Sequence, residues 1–235
     1  MVLQNRTNKT YDVVVCTTAV DRVDLHKKVF PKYIEFLSEL NIYWMFAMND
    51  IWNTTDKSIQ YLISILTQNN IDYNFSCHSF GGTNYDFYKS AHYLLNNVSN
   101  MNPKYGTVWL EDDWLLVNED ENLKYILESF NLGKFDYIGL TENNYMSFNP
   151  GVFGMGIVNK VMLENINNIQ GSYYAPSIDD LKKGNPERAS LYGSTQQPHS
   201  IECPGKHYRH SCFKDFGRNW VSKNKLKERT FKQNL

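Results

Sequence analysis

The chain has 235 residues, 42% of them hydrophobic and 14% aromatic, which is enough apolar surface for one core and too little length for two comfortable domains. Its formal charge is -1, so no global positive field draws nucleic acid or an anionic membrane towards it. No apolar run approaches the roughly 20 residues that span a bilayer, and the N-terminal stretch MVLQNRTNKTYD lacks the basic start, apolar middle and cleavage site of a secretory signal; the expectation is a soluble, cytoplasmic protein.

The first strand is expected over Tyr11 to Cys16, whose unbroken valines suit a parallel strand buried on both faces. TTAVDR, Thr17 to Arg22, reads as the turn after it. Leu25, Val29, Tyr33, Phe36, Leu37 and Leu40 then recur at helical spacing, with Pro31 expected to kink or restart the helix. Ile42 to Met48 predicts a second strand. Ile59, Leu62, Ile63 and Leu66 predict a second helix capped by Thr55 or Asp56. A third strand near Tyr73 to Cys77 leads into SFGGTN, and Tyr85, Tyr88, His92 and Leu95 predict another helix.

The strand Thr107 to Leu110 ends in an acidic cluster. Beyond it, Asn118 and Glu121 have capping-box spacing ahead of Leu123, Ile126, Leu127 and Phe130, and Asp136 to Thr141 reads as a further strand. From about Asn143 the rhythm loosens into Gly, Pro, Asn and Tyr-rich segments, with one helical stretch around Asn159 to Ile169. Alternation of this kind implies an α/β fold: a single domain with a mostly parallel central sheet, helices on both faces, and ligands bound beyond the strands' carboxyl ends. The looser second half would shape an acceptor site.

Four cysteines, Cys16, Cys77, Cys203 and Cys212, lack the paired spacing of a zinc site and are expected as buried free thiols. Asn-x-Ser/Thr sequons at Asn5, Asn8, Asn53, Asn74 and Asn97 are expected to carry no glycan in a cytoplasmic chain.

The segment VWLEDDWLL, Val108 to Leu116, places Glu111, Asp112 and Asp113 between large apolar residues. Adjacent carboxylates repel one another and resist desolvation, so a divalent cation bridging them to a diphosphate would compensate for their burial. Acids that simply face water at a strand end are the alternative; the flanking Trp109, Leu110, Trp114, Leu115 and Leu116 argue for a half-buried position.

With its β-α-β-α series running into a strand that ends in a DxD-like acidic motif, the sequence resembles the GT-A glycosyltransferases. The resemblance implies a single GT-A-like domain, with residues 1 to about 116 as a nucleotide-binding half and about 117 to 235 as an acceptor-binding half with a C-terminal closing segment, Mn2+ or Mg2+ as cofactor, a nucleoside-diphosphate sugar donor, UDP-linked by preference, and a glycan or other hydroxyl acceptor. It assigns Asp113 to the metal, with Glu111 near the ribose or the metal's waters and Asp112 in the nucleotide or sugar shell. Thr17, Thr18 and Arg22 would seat the nucleotide base. Gly81 and Gly82 in SFGGTNYDFYKSA would allow close backbone approach to the ligand. SFNPGVFGMG, Ser147 to Gly156, stands where the acceptor is met. Asp179 and Asp180 stand where an inverting enzyme has its general base, and in GKHYRHSCFKDFGRNW either His207 or His210 would complete the metal shell, His210 being taken for that place, with Arg218 on the departing diphosphate.

Two other readings compete. A nucleotidyltransferase shares the acidic metal ligands but starts from a Gly-rich basic loop that TTAVDR lacks. A non-catalytic glycan-binding module would use the 16 tyrosines and five tryptophans as stacking platforms, although most aromatics in a compact domain belong to the core.

Overall fold

The structure, a computed structural model, describes residues 2–5, 10–49, 57–78, 93, 94, 97, 98, 101–118, 120–129, 137–141, 156–158 and 207–216. In chain order the elements are β1 (Val2–Asn5), β2 (Val13–Val20), α1 (Val23–Phe36), β3 (Ile42–Asn49), α2 (Lys57–Gln68), β4 (Asp72–His78), β5 (Gly106–Trp109), β6 (Trp114–Leu116), α3 (Leu123–Ser129), β7 (Tyr137–Thr141), β8 (Gly156–Val158) and β9 (His207–Asp215). The strands form one mixed sheet in the order β1-β4-β3-β2-β5-β8-β7-β9-β6. Its centre, β4-β3-β2-β5, is parallel throughout, while β1 closes one edge antiparallel to β4 and β8 runs antiparallel to both β5 and β7.

The central strands are buried on both faces, as their unalternating sequence requires. On one face Val13, Val15, Trp44, Phe46, Met48 and Phe75 join the apolar sides of α1, α2 and α3 in one core. Trp44 stacks on Phe46 at 5.3 Å and Phe46 on Phe75 at 4.5 Å, each within 15° of parallel, and Phe30 of α1 meets both Trp44 and Phe46. Val14, Cys16, Tyr43, Met45, Ala47 and Trp109 point the other way and are equally inaccessible. Leu94 and Val98, in helical residues shortly before β5, are buried as well.

Three local expectations need correction. Strand β2 runs on through Thr17, Thr18, Ala19 and Val20 in register with Phe46 to Asn49, so the expected turn shrinks to Asp21 and Arg22; β-branched threonine suits a strand, and the Thr17 hydroxyl is satisfied inside the core, where it accepts a 2.9 Å hydrogen bond from the Trp44 indole. Helix α1 passes through Pro31 unbroken. The carbonyl that proline deprives of a partner is that of Lys27, and both residues lie on the exposed side of the helix, where the lost bond is cheapest. Helix α3 is capped by Asn122, whose Oδ1 accepts from Lys124 N at 2.8 Å, rather than by Asn118, which donates to the Glu121 carboxylate.

Helix α2 ends in a Schellman motif: Ile71 N bonds to Leu66 O, Asn70 N to Thr67 O, and Asn70 adopts φ 54. Asparagine is one of the few side chains that tolerates this left-handed position. The three described cysteines, Cys16, Cys77 and Cys212, are free thiols, and burial pushes the Cys16 and Cys212 thiols well up, which makes them unreactive. No described helix is long and apolar enough to cross a membrane.

Candidate functional site

From β2 the chain steps to β3 and then β4 on one side, whereas β5 lies on β2's other side. The sheet's winding therefore reverses between β2 and β5, and in α/β sheets the crevice beyond the carboxyl ends at such a point is where ligands bind. Both strands deliver chemistry there. Beyond β2 come Asp21 and Arg22 and then the first turn of α1. Beyond β5 come Leu110 and the acidic turn Glu111-Asp112-Asp113, which leads into β6.

The three acids have different surroundings. Asp112 is 5% exposed. Its Oδ2 accepts from Val20 N at 3.2 Å and lies 3.1 Å from His26 Nε2, while its Oδ1 stands 4.0 Å from Arg22 Nη2. Burial pushes its carboxyl up, but the Arg22 charge, the His26 contact and the Val20 N–H together outweigh that and hold it below the ordinary carboxylate range. Asp113 is more open: its Oδ2 pairs with Arg22 Nη1 at 2.9 Å, both side chains being 21% exposed. Glu111 Oε2 accepts from the Trp114 indole at 3.0 Å.

Arg22 is thus a half-buried cation held between two carboxylates beyond the carboxyl ends of β2 and β5. Burial alone would lower its basicity, yet Asp112 and Asp113 more than reverse this and raise it, so the guanidinium stays charged. Its backbone is fixed too: Arg22 N donates to Ser58 Oγ at 3.1 Å, and Ser58 Oγ donates to Asp21 Oδ1 at 2.6 Å, which ties the start of α1 to the first turn of α2. Behind the acidic turn, the buried Tyr33 hydroxyl lies 2.7 Å from both Glu111 O and Trp114 O. Burial and the nearby charges of Asp113, Asp112 and Glu111 push the phenol well above its usual value, so it remains a donor.

The structure brings Arg22, Glu111, Asp112 and Asp113 together. Thr18 is half-buried in β2, two residues before Val20, whose N–H reaches Asp112, and Thr17 belongs to the core with its hydroxyl on Trp44. Residue 210 lies in β9 at the irregularity between Arg209 and Phe213, whereas the part of β9 that borders the acidic turn is its end: Asp215 pairs with Trp114, and Phe216 N donates to Asp113 O. Gly81, Gly82, Asp179, Asp180 and Arg218 lie outside the described residues. The sequence marks Tyr33 only as an apolar position of α1 and passes over His26, whose signal is its place in the first turn of α1, four residues after Arg22.

No family model matches the chain, and no curated protein matches it in sequence. Among solved structures it is similar to glycosyltransferases. S. aureus TarS in complex with UDP-GlcNAc is 8% identical with a TM-score of 0.49, the match covering 86% of this chain and 57% of that one. The mannosyltransferase PcManGT from Pyrobaculum calidifontis, in complex with GDP-Man and Mn2+, is 8% identical with a TM-score of 0.48 and coverages of 87% and 58%. The galactosyltransferase LgtC, in complex with donor and acceptor sugar analogs, is 10% identical with a TM-score of 0.45 and coverages of 83% and 72%. The chain spans less than two thirds of the TarS and PcManGT chains.

The oxygen chemistry of Asp113 and Glu111 suits Mn2+ or Mg2+. The described residues do not complete such a centre: Asp112 is turned inward onto His26 and Val20, Asp113 is paired with Arg22, and no group of three or more His, Cys, Asp or Glu side chains among the described residues is placed to hold a metal.

Proposed function

We propose that the crevice between the ends of β2 and β5 binds the nucleoside-diphosphate part of a sugar donor, UDP-linked by preference, and that the protein transfers the sugar to a glycan or other hydroxyl acceptor. The observation that carries this reading is Arg22, a charged guanidinium fixed by Asp112, Asp113 and Ser58 at the point where the sheet's winding reverses. A pre-placed, partly desolvated guanidinium is suited to phosphate oxygens, and stabilises the charge that grows on a departing diphosphate without first having to reorganise. Thr18 would border the nucleotide, as would Gly81 and Gly82.

The acceptor hydroxyl would attack the anomeric carbon while a carboxylate, Asp179 or Asp180, removes its proton, inverting the centre. Arg218 would add a second cation on the leaving diphosphate. Mn2+ or Mg2+ is part of the same reading, with Asp113 and Glu111 as the carboxylates that would hold it, and it is tested separately from nucleotide binding.

A thermal-shift panel of nucleoside diphosphates and triphosphates, each with and without Mn2+ or Mg2+, tests the assignment. Ligand at 100 times its dissociation constant stabilises by about 2.7 kcal/mol, which raises the melting temperature of a chain this long by about 5–10 °C. Diphosphates are expected to give such a shift. A response to triphosphates alone points to nucleotidyl transfer, and glycan binding without any nucleotide response points to a lectin-like module.

A further inference from the structure

We propose that His26, one turn after Arg22 on α1, is a positioning residue that fixes the Asp112 carboxylate and, through it, the Arg22 guanidinium beyond the carboxyl ends of β2 and β5. The His26 side chain is fully buried. An ionised carboxylate only accepts, so the 3.1 Å contact is Nε2–H donating to Asp112 Oδ2. The same oxygen takes the Val20 N–H at 3.2 Å from the end of β2. Two donors on one oxygen set the plane of the carboxylate, and that leaves Oδ1 turned towards Arg22 Nη2 at 4.0 Å while Nη1 rests on Asp113.

Packing alone does not account for an imidazole here. Its ring stands edge-on to Phe30 at 5.3 Å, a place that an apolar side chain would fill without the desolvation cost of two ring nitrogens. Among the described residues Nδ1 is buried with no hydrogen-bond partner. The one nitrogen that offsets that cost is the one directed at Asp112. Arg22 immediately precedes α1 and His26 lies in its first turn, and both reach Asp112, so the start of one helix supplies the guanidinium and the residue that steadies its carboxylate partner. This deepens the nucleotide reading, on which it rests for the identity of the ligand alone.

The test uses the full chain with His26→Leu, His26→Gln and, as a destabilised control far from the crevice, Leu66→Ala. Glutamine's amide nitrogen stands in for Nε2; leucine offers no donor. The first readout needs no nucleotide: the rate at which phenylglyoxal modifies Arg22 in the folded protein, followed by peptide mass spectrometry. The second is the dissociation constant for UDP and GDP by titration calorimetry.

His26→Leu is expected to raise the Arg22 modification rate at least threefold and weaken diphosphate binding about tenfold. His26→Gln is expected to restore both to within twofold of the wild type, and Leu66→Ala to leave both unchanged despite its lower melting temperature. An unchanged Arg22 rate in His26→Leu, or a glutamine variant as impaired as the leucine one, overturns the proposal. If no protein binds either diphosphate yet the Arg22 rates follow the expected order, the positioning role stands and the nucleotide reading fails. Should His26→Leu not fold, His26→Asn, whose shorter amide holds its nitrogen back from Asp112, takes its place with the same expectations.

Discussion

Asp112 and Asp113 are neighbours in sequence, and removing one or the other is expected to damage different properties. Asp112→Ala strands the Val20 N–H and the His26 Nε2–H and takes from Arg22 one of its two counter-charges. Hydrogen bonds to a buried charge contribute about 1.5–3 kcal/mol each, and removing one partner of a buried ion pair costs about 3–5 kcal/mol. At about 2–4 °C per kcal/mol for a chain of this length, a loss of about 3–5 kcal/mol lowers the melting temperature by about 6–20 °C. Asp113→Ala breaks a pair in which both side chains are 21% exposed. Solvent screens such a pair to about 0–1 kcal/mol, so the expected shift is under about 4 °C. Thermal melts followed by circular dichroism compare the two variants directly. Equal shifts, or a loss below about 2 °C for Asp112→Ala, would refute the assignment of Asp112 to the scaffold.

Because the Asp112 carboxyl is held below its ordinary range, the stability it contributes is present above the unfolded-state value of about 3.9 and is lost as pH falls through the lower folded-state value; Asp112→Asn should flatten this acid limb in urea midpoints measured from neutral pH down past pH 4. Tyr33→Phe removes the hydroxyl that faces Glu111 O and Trp114 O, and is expected to cost about 1–3 kcal/mol in chemical denaturation. Thr17→Val leaves the Trp44 indole N–H without its acceptor and should cost a similar amount, about 1–3 kcal/mol, with no change in diphosphate affinity; weakened binding at unchanged stability would return Thr17 to the ligand site. Asn70→Ala places alanine at φ 54 and is expected to destabilise by about 1–2 kcal/mol, whereas Asn70→Gly should be nearly neutral.

The parallel centre of the sheet was legible because its strands are continuous apolar runs joined by helices of clear period, and periods are local properties of a sequence. The position of the acidic cluster at the end of β5 was legible for the same reason. Its internal division of labour was not, because the partners that turn Asp112 inward, Val20, Arg22 and His26, come from 92, 90 and 86 residues earlier in the chain. The extension of β2 through Thr17 was hidden by polarity, since a threonine hydroxyl suits a strand interior only where a donor such as the Trp44 indole awaits it. Strand β1 escaped notice because VLQN is an edge strand, polar enough to resemble a tail.

The central claim is that a nucleoside diphosphate binds where Arg22 stands. Titration calorimetry of UDP and GDP into the wild type and Arg22→Met tests it, methionine keeping much of the side-chain length and removing the charge. The account predicts binding of at least one diphosphate to the wild type and a loss of at least tenfold in Arg22→Met; no binding at millimolar concentration, or equal affinity in both proteins, would contradict it.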